Sequence, residues 1–189
     1  MRAQAPLEAA AAAIAALITT SDVVASDETS VRVMKPTQWE WVFVTAACVL
    51  HIIRLSRGAC VVRDLFGNWR PRVWISDSQR GHAGQWQMCL AHLLRDAQYA
   101  IDCGDDGSSA AFKRLPLRAV AIGRWRDTLR PSVIFRKVTN GFRSEWGAQT
   151  YAAFRSVVST AKLHKRSVLD ELRRVPEVAS TKEVIKGVG

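Results

Sequence analysis

Asp27, in Val24-Ala25-Ser26-Asp27-Glu28-Thr29, and Asp77, closing Val73-Trp74-Ile75-Ser76-Asp77, are the residues best suited to chemistry. Each lies within or at the end of a short β-type run. Two strand-borne carboxylates side by side offer hard oxygen ligands to a divalent ion such as Mg²⁺. In-line phosphoryl transfer uses two such ions, one on the attacking and one on the leaving oxygen. A third carboxylate is needed to hold both ions, and the chain offers no obvious one.

The elements that must position these acids follow from periodicity. Residues 6–18 form an Ala-rich helix, and Val23–Val33 alternates as a strand with Asp27 near its middle. Trp39–Leu50 and His51–Leu55, rich in Trp, Val, Phe and Ile, predict two further strands of a meander. From Ser56 to Trp69 the apolar Val61, Val62, Leu65 and Phe66 fall at helical spacing, and Pro71 stops the segment. Val73-Trp74-Ile75 is a short buried strand with Ser76 and Asp77 at its end. A long helix is expected from Trp86 to Ile101, with Leu90, Leu93, Leu94, Ala97 and Ile101 as its stripe. Further helices are expected over Ala110–Ile122, Glu145–His164 and Ser167–Val175, with Ser167 as an N-cap; Ser132–Val138 fits either helix or strand.

The order strand-strand-strand-helix-strand-helix, with a right-handed crossover, sets the fourth strand parallel to the first. That is an α/β, ribonuclease H-like mixed sheet, and it would bring Asp27 beside Asp77. Glu28, next to Asp27 on a strand, should point to the opposite face.

Composition bounds the partners. The 189 residues carry a formal charge of +10, a field that favours nucleic acid. Residues 124–174 hold 12 Lys/Arg against 4 Asp/Glu, whereas residues 1–123 hold 13 against 11. The expected organisation is an N-terminal helix and linker over 1–21, a core over 22–123, a basic helical part over 124–175 and a tail from 176. Within the basic part, Trp125 and Trp146, flanked by Arg124, Arg126 and Arg143, suit base stacking.

Cys48, Cys60, Cys89 and Cys103 form no CxxC pair, and Cys89-Leu90-Ala91-His92 lacks a second half-site for zinc, so buried free thiols in a reducing cytoplasm are expected. His92 suits helix packing better than metal ligation, and His51 and His164 read as strand and surface residues. No stretch approaches a transmembrane length.

Several segments in series resemble a bacterial insertion-sequence transposase of the DDE class, the family numbered sixty-six. They are residues 26–33 with Trp39-Glu40-Trp41-Val42-Phe43, then Trp74-Ile75-Ser76-Asp77 and residues 89–96. Residues 129–137, Gly141-Phe142-Arg143-Ser144-Glu145 and Arg166-Ser167-Val168-Leu169 complete the series. The resemblance implies DNA transposition by two Mg²⁺ (or Mn²⁺) ions held by Asp, Asp and a distant Glu, with transposon ends and target DNA as partners and a homo-oligomer assembled on DNA. It implies a cytoplasmic, nucleoid-associated protein, with no role at a membrane. Asp27 and Asp77 match the two family aspartates as catalytic and metal-binding residues.

Two departures follow. Full-length members carry N-terminal DNA-binding regions that are not seen here, so an N-terminally truncated chain is expected. The family's Glu precedes a Leu-Arg-Pro motif; here Leu129-Arg130-Pro131 follows Arg124-Trp125-Arg126-Asp127-Thr128, and Arg126 takes the Glu position. An internal deletion that removed the catalytic Glu is the expectation. The result would be a catalytically impaired remnant that binds one ion or none and keeps its hold on DNA through Arg124, Arg126, Arg130, Arg136, Lys137 and Arg143. The alternatives are an active recombinase with Asp127 as substitute third ligand, and a non-enzymatic basic nucleic-acid-binding module.

Overall fold

The structure, a computed structural model, describes residues 4–76, 85–88, 90–104, 107 and 139–176. Its elements are α1 (Gln4–Ile18), β1 (Val23–Arg32), β2 (Thr37–Val44), β3 (Val49–Arg54), α2 (Ala59–Phe66), β4 (Val73–Ser76), β5 (Gln85–Met88), α3 (Leu90–Asp102), α4 (Glu145–Leu163) and α5 (Val168–Arg174). The helices expected over Ala110–Ile122 and the segment Ser132–Val138 lie outside the described residues.

The strands form one mixed sheet in the order β3-β2-β1-β4-β5. β1 and β2, and β2 and β3, pair antiparallel, while β4 is parallel to β1 through Val23↔Val73, Val24↔Trp74 and Ala25↔Ile75. The meander with a parallel fourth strand is the arrangement that the element order predicted.

Two expected boundaries shift. Residues 39–55 do not divide between Leu50 and His51. The turn lies at Thr45–Cys48, where Thr45 Oγ1 accepts from the Ala47 and Cys48 amides at 3.2 and 3.1 Å. That hydroxyl satisfies two backbone donors and closes the hairpin. The helix expected from Trp86 instead begins at Leu90, because Gln85–Met88 pairs in parallel with β4. A four-residue run holding Trp and Met fits helix and strand alike, and only the neighbouring strand decides between them.

Cross-strand register separates the two faces. One face carries Val24, Phe43, Leu50 and Trp74, and packs with α2 and with the α1 stripe Leu7, Ala10, Ile14 and Ile18. Phe43, Phe66 and Trp74 meet there at centroid separations of 4.9–6.4 Å, tilted or edge-on, as ring quadrupoles prefer. The opposite face carries Val31 and Ile53, packed on Ala148 and Ala152 of α4.

α4 also finishes the β3 edge. Thr160 Oγ1 accepts from the Val49 amide at 3.0 Å and lies 3.2 Å from its carbonyl. Ser156 Oγ accepts from the His51 amide at 2.8 Å, and Gln149 Nε2 donates to the Ile53 carbonyl at 3.3 Å. Side chains spaced along one helix thus take the place of a further strand. An unpaired strand edge is a template for association, and this one is covered.

Of the thiols, Cys48 is buried as expected, Cys60 is half-buried and Cys103 is exposed, against the expectation of burial; Cys89 lies outside the described residues. Cys103 falls just beyond α3, beside Gly104 with φ +93, where the chain leaves the helix and its packing face.

Candidate metal centre and nucleic-acid interface

Asp27 sits in the middle of β1, half-buried, on the central strand of the sheet. Its Oδ1 accepts from the Glu28 amide at 2.8 Å. Asp27 lies opposite Val42, and Glu28 opposite Trp41, so the two acids face opposite sides. Glu28 is consumed by an ion pair of 2.7 Å with Arg57, whose guanidinium lies 4.8 Å over the Trp39 ring. With 5 % of its side chain exposed, Glu28 is not available to a metal on the other face.

Asp77 and Asp127 lie outside the described residues, as do Arg124, Arg126, Arg130, Arg136 and Lys137. β4, however, is described to Ser76, the residue before Asp77. Among the described residues no three His, Cys, Asp or Glu side chains group as a metal site. They supply one suitable hard-oxygen ligand, Asp27, and not a full donor set. Arg143 is exposed, as a residue that contacts a polyanion must be. Trp146 is half exposed, and its ring N–H donates to Gln4 Oε1, tying α4 to α1.

Residue types alone did not single out a buried polar chain on the Asp27 face. Glu40 is the diagonal neighbour of Asp27, at a separation of about 7–8 Å in such sheets. Glu40 Oε1 lies 2.9 Å from His51 Nδ1, and His51 Nε2 lies 3.0 Å from Ser159 Oγ. A carboxylate can only accept, so Nδ1 carries the proton and Nε2 accepts from the Ser159 hydroxyl. Burial pushes the His51 imidazole below its ordinary value; the Glu40 hydrogen bond and charge oppose that, and the Arg155 charge adds to it.

The order Glu–His–Ser is that of an acyl-transfer triad. Glu40 and His51 are each only 1 % exposed, however, and Ser159 is 5 % exposed, so no substrate reaches the hydroxyl. The chain of hydrogen bonds instead clamps β2 and β3 to α4. The expectation that His51 was merely a strand residue thus misses its burial. The available signal was Gln38 and Glu40 alternating with Trp39 and Trp41, a polar face inside a hydrophobic strand. His164, by contrast, is half-buried at the end of α4, 2.5 Å from the Ala47 carbonyl.

Comparison with known proteins adds the class. Residues 1–119 match a family model described as Transposase IS66 family, which is well over half of the chain. By family, then, this is a transposase, with DNA as the partner and a divalent metal as the cofactor that the family implies. The chain belongs to the IS66 transposase family. The matched span includes both Asp27 and Asp77; residues 129–137, 141–145 and 166–169 fall beyond it. No curated protein and no solved structure matches the chain. Among the described residues no helix is long and apolar enough to cross a membrane.

Proposed function

We propose that the chain is a DDE transposase domain of ribonuclease H-like fold that binds DNA and is impaired in catalysis. One observation carries the reading: β1 and β4 are adjacent and parallel, with Ala25 opposite Ile75. Asp27 and Asp77 each follow that pair by two residues in the chain, so the register favours two carboxylates on one ion. Hard oxygen donors suit Mg²⁺ or Mn²⁺, which would supply Lewis-acid stabilisation of the phosphoryl oxygens. Residues 22–123 form the core in this reading, and the basic residues 124–175 hold the phosphate backbone.

The impairment comes from Arg126, which stands where the family has its Glu. A guanidinium there repels the second ion instead of binding it, and two carboxylates leave that ion short of ligands. Asp127 is one residue away, about 100° round if the segment is helical, and one methylene shorter.

The test is nicking of end-labelled duplex DNA by the purified protein with Mg²⁺ or Mn²⁺, beside Asp77→Asn. No cleavage is expected, with weak binding of a single ion by calorimetry that Asp27→Asn removes. Metal-dependent cleavage lost in Asp77→Asn and also in Asp127→Asn would replace this reading with an active recombinase using Asp127. Absence of both ion and DNA binding would overturn the reading altogether.

A further inference from the structure

A second basic surface lies at the far end of β1, where strand residues meet Asn140 and Arg143 of the basic segment. There an open cleft of about 540 Å³ is lined by Ser30, Val31, Arg32, Thr37 and Asn140. Ser30 and Arg32 lie on the face of β1 that turns away from Asp27, since they alternate out of phase with it. The cleft is therefore separate from the metal site.

Its floor is held in place. The Phe142 amide donates to the Arg32 carbonyl at 2.7 Å, and the Met34 amide donates to the Phe142 carbonyl at 2.6 Å. Gly141, at φ +106, lies so close to β1 that a Cβ there would come within 2.2 Å of the Arg32 carbonyl oxygen. Phe142 is anchored in turn on Tyr151 of α4, with 5.0 Å between the rings. This strap sets Asn140 at one wall of the cleft and Arg143 one residue past the bridge between Val33 and Phe142.

The charge is mostly positive. Arg32, Lys35, Arg54 and Arg143 are all exposed, and none pairs with a carboxylate among the described residues. Of the nearby acids, Glu28 is paired with Arg57, while Glu145 accepts from the neutral Gln38 and Gln149 and keeps its charge, one anion against four cations. The donor types (guanidinium, hydroxyl and carboxamide) are those that contact phosphate and sugar oxygens. Val31 is the single apolar residue of the lining, so the aromatic and aliphatic anchors of a protein interface are missing from it.

We infer that this cleft binds the phosphodiester backbone of nucleic acid, with Arg32 and Arg143 as the phosphate ligands and Ser30, Thr37 and Asn140 as neutral donors. The inference rests on the reading of the chain as a DNA-handling protein, and adds to it a surface on β1 that the basic segment alone does not form. Contact through phosphates makes binding indifferent to base sequence and dependent on salt.

The experiment is fluorescence anisotropy of labelled duplex oligonucleotides titrated in rising KCl, with the wild-type chain, Arg32→Ala, Arg143→Ala and Arg63→Ala. Arg63 is exposed on α2, outside residues 124–175 and outside the cleft lining, so its loss changes net charge equally without touching the cleft. Arg32→Ala and Arg143→Ala should each flatten the log–log salt slope by about one, for all sequences alike, and Arg63→Ala should not. Asn140→Asp keeps a residue tolerant of φ +58 and places an anion in the cleft; it should weaken binding at least about tenfold. Equal slopes in all variants, or equal loss in Arg63→Ala, would overturn the cleft while leaving the transposase reading intact. Displacement of DNA by polyglutamate with no change in the cleft variants would also overturn it. A wild-type chain without salt-dependent binding would overturn both.

Discussion

Burial strips His51 of the water that would stabilise its imidazolium, and the nearby charge of Arg155 acts in the same direction. The folded pKa lies below the ordinary histidine value of about 6.5, so the unfolded chain takes up the proton first. The stabilisation is therefore complete above that value and is lost as pH falls through it. Unfolding free energies from urea titrations between about pH 7.5 and 5.5 should fall by up to about 1.4 kcal/mol per pH unit in this window. In His51→Gln that dependence should shrink; an unchanged pH profile in the variant would assign the titration to another group. Gly141 makes a second residue-scale case, in which backbone conformation and space both act. With φ +106 and the Arg32 carbonyl against it, Gly141→Ala should cost about 2–5 kcal/mol by chemical denaturation. A loss below about 1 kcal/mol would mean that the strap is not pressed on β1.

At the scale of elements, α4 contributes to both hydrophobic clusters of the described structure. It has an N-cap in Ser144, whose Oγ accepts from the Gly147 amide at 3.1 Å, and it carries Ala148 and Ala152 into one cluster and Ala153 and Val157 into another. Its Ser156 and Thr160 hydroxyls stand in for a strand along the β3 edge. Removing one leaves a buried amide without its acceptor, at a cost of about 1–3 kcal/mol. Ser156→Ala with Thr160→Ala should therefore lower the urea midpoint and also open the edge, giving concentration-dependent association by light scattering. A destabilised but monomeric double variant would show that the helix still shields the edge by bulk alone. Arg155, on the same helix, is 7 % exposed and contributes its charge to the His51 environment, so α4 sets the electrostatics of the sheet as well as its packing.

For the whole molecule, the surplus of basic residues over 124–174 is a sequence property with a solution consequence. Each phosphate contact releases a counterion, so affinity falls steeply with salt. Arg136→Ala with Lys137→Ala should flatten the salt slope by about two on duplex DNA, measured by anisotropy. Binding indifferent to salt would point to a partner other than a polyanion. The effects of the cleft variants and of this pair on binding free energy should add if the two sets do not share contacts.

The sequence by itself determined the elements whose information is local. Alternation made β1 a strand with Asp27 in its middle, the short apolar run made β4, and the Leu7, Ala10, Ile14, Ile18 spacing gave α1 its buried stripe. The family resemblance was also legible, because ordered motifs survive as residue identities. Tertiary structure alone decided where the β2–β3 turn falls, that Gln85–Met88 is a strand, and that Glu40 and His51 are buried and satisfied. The physical reason is separation along the chain. Ser159 lies 108 residues from the histidine that it binds, and Ser156 lies 105 residues from the amide that it caps. A polar residue in a strand is costly or stabilising according to whether such a partner arrives, and no local pattern records the arrival.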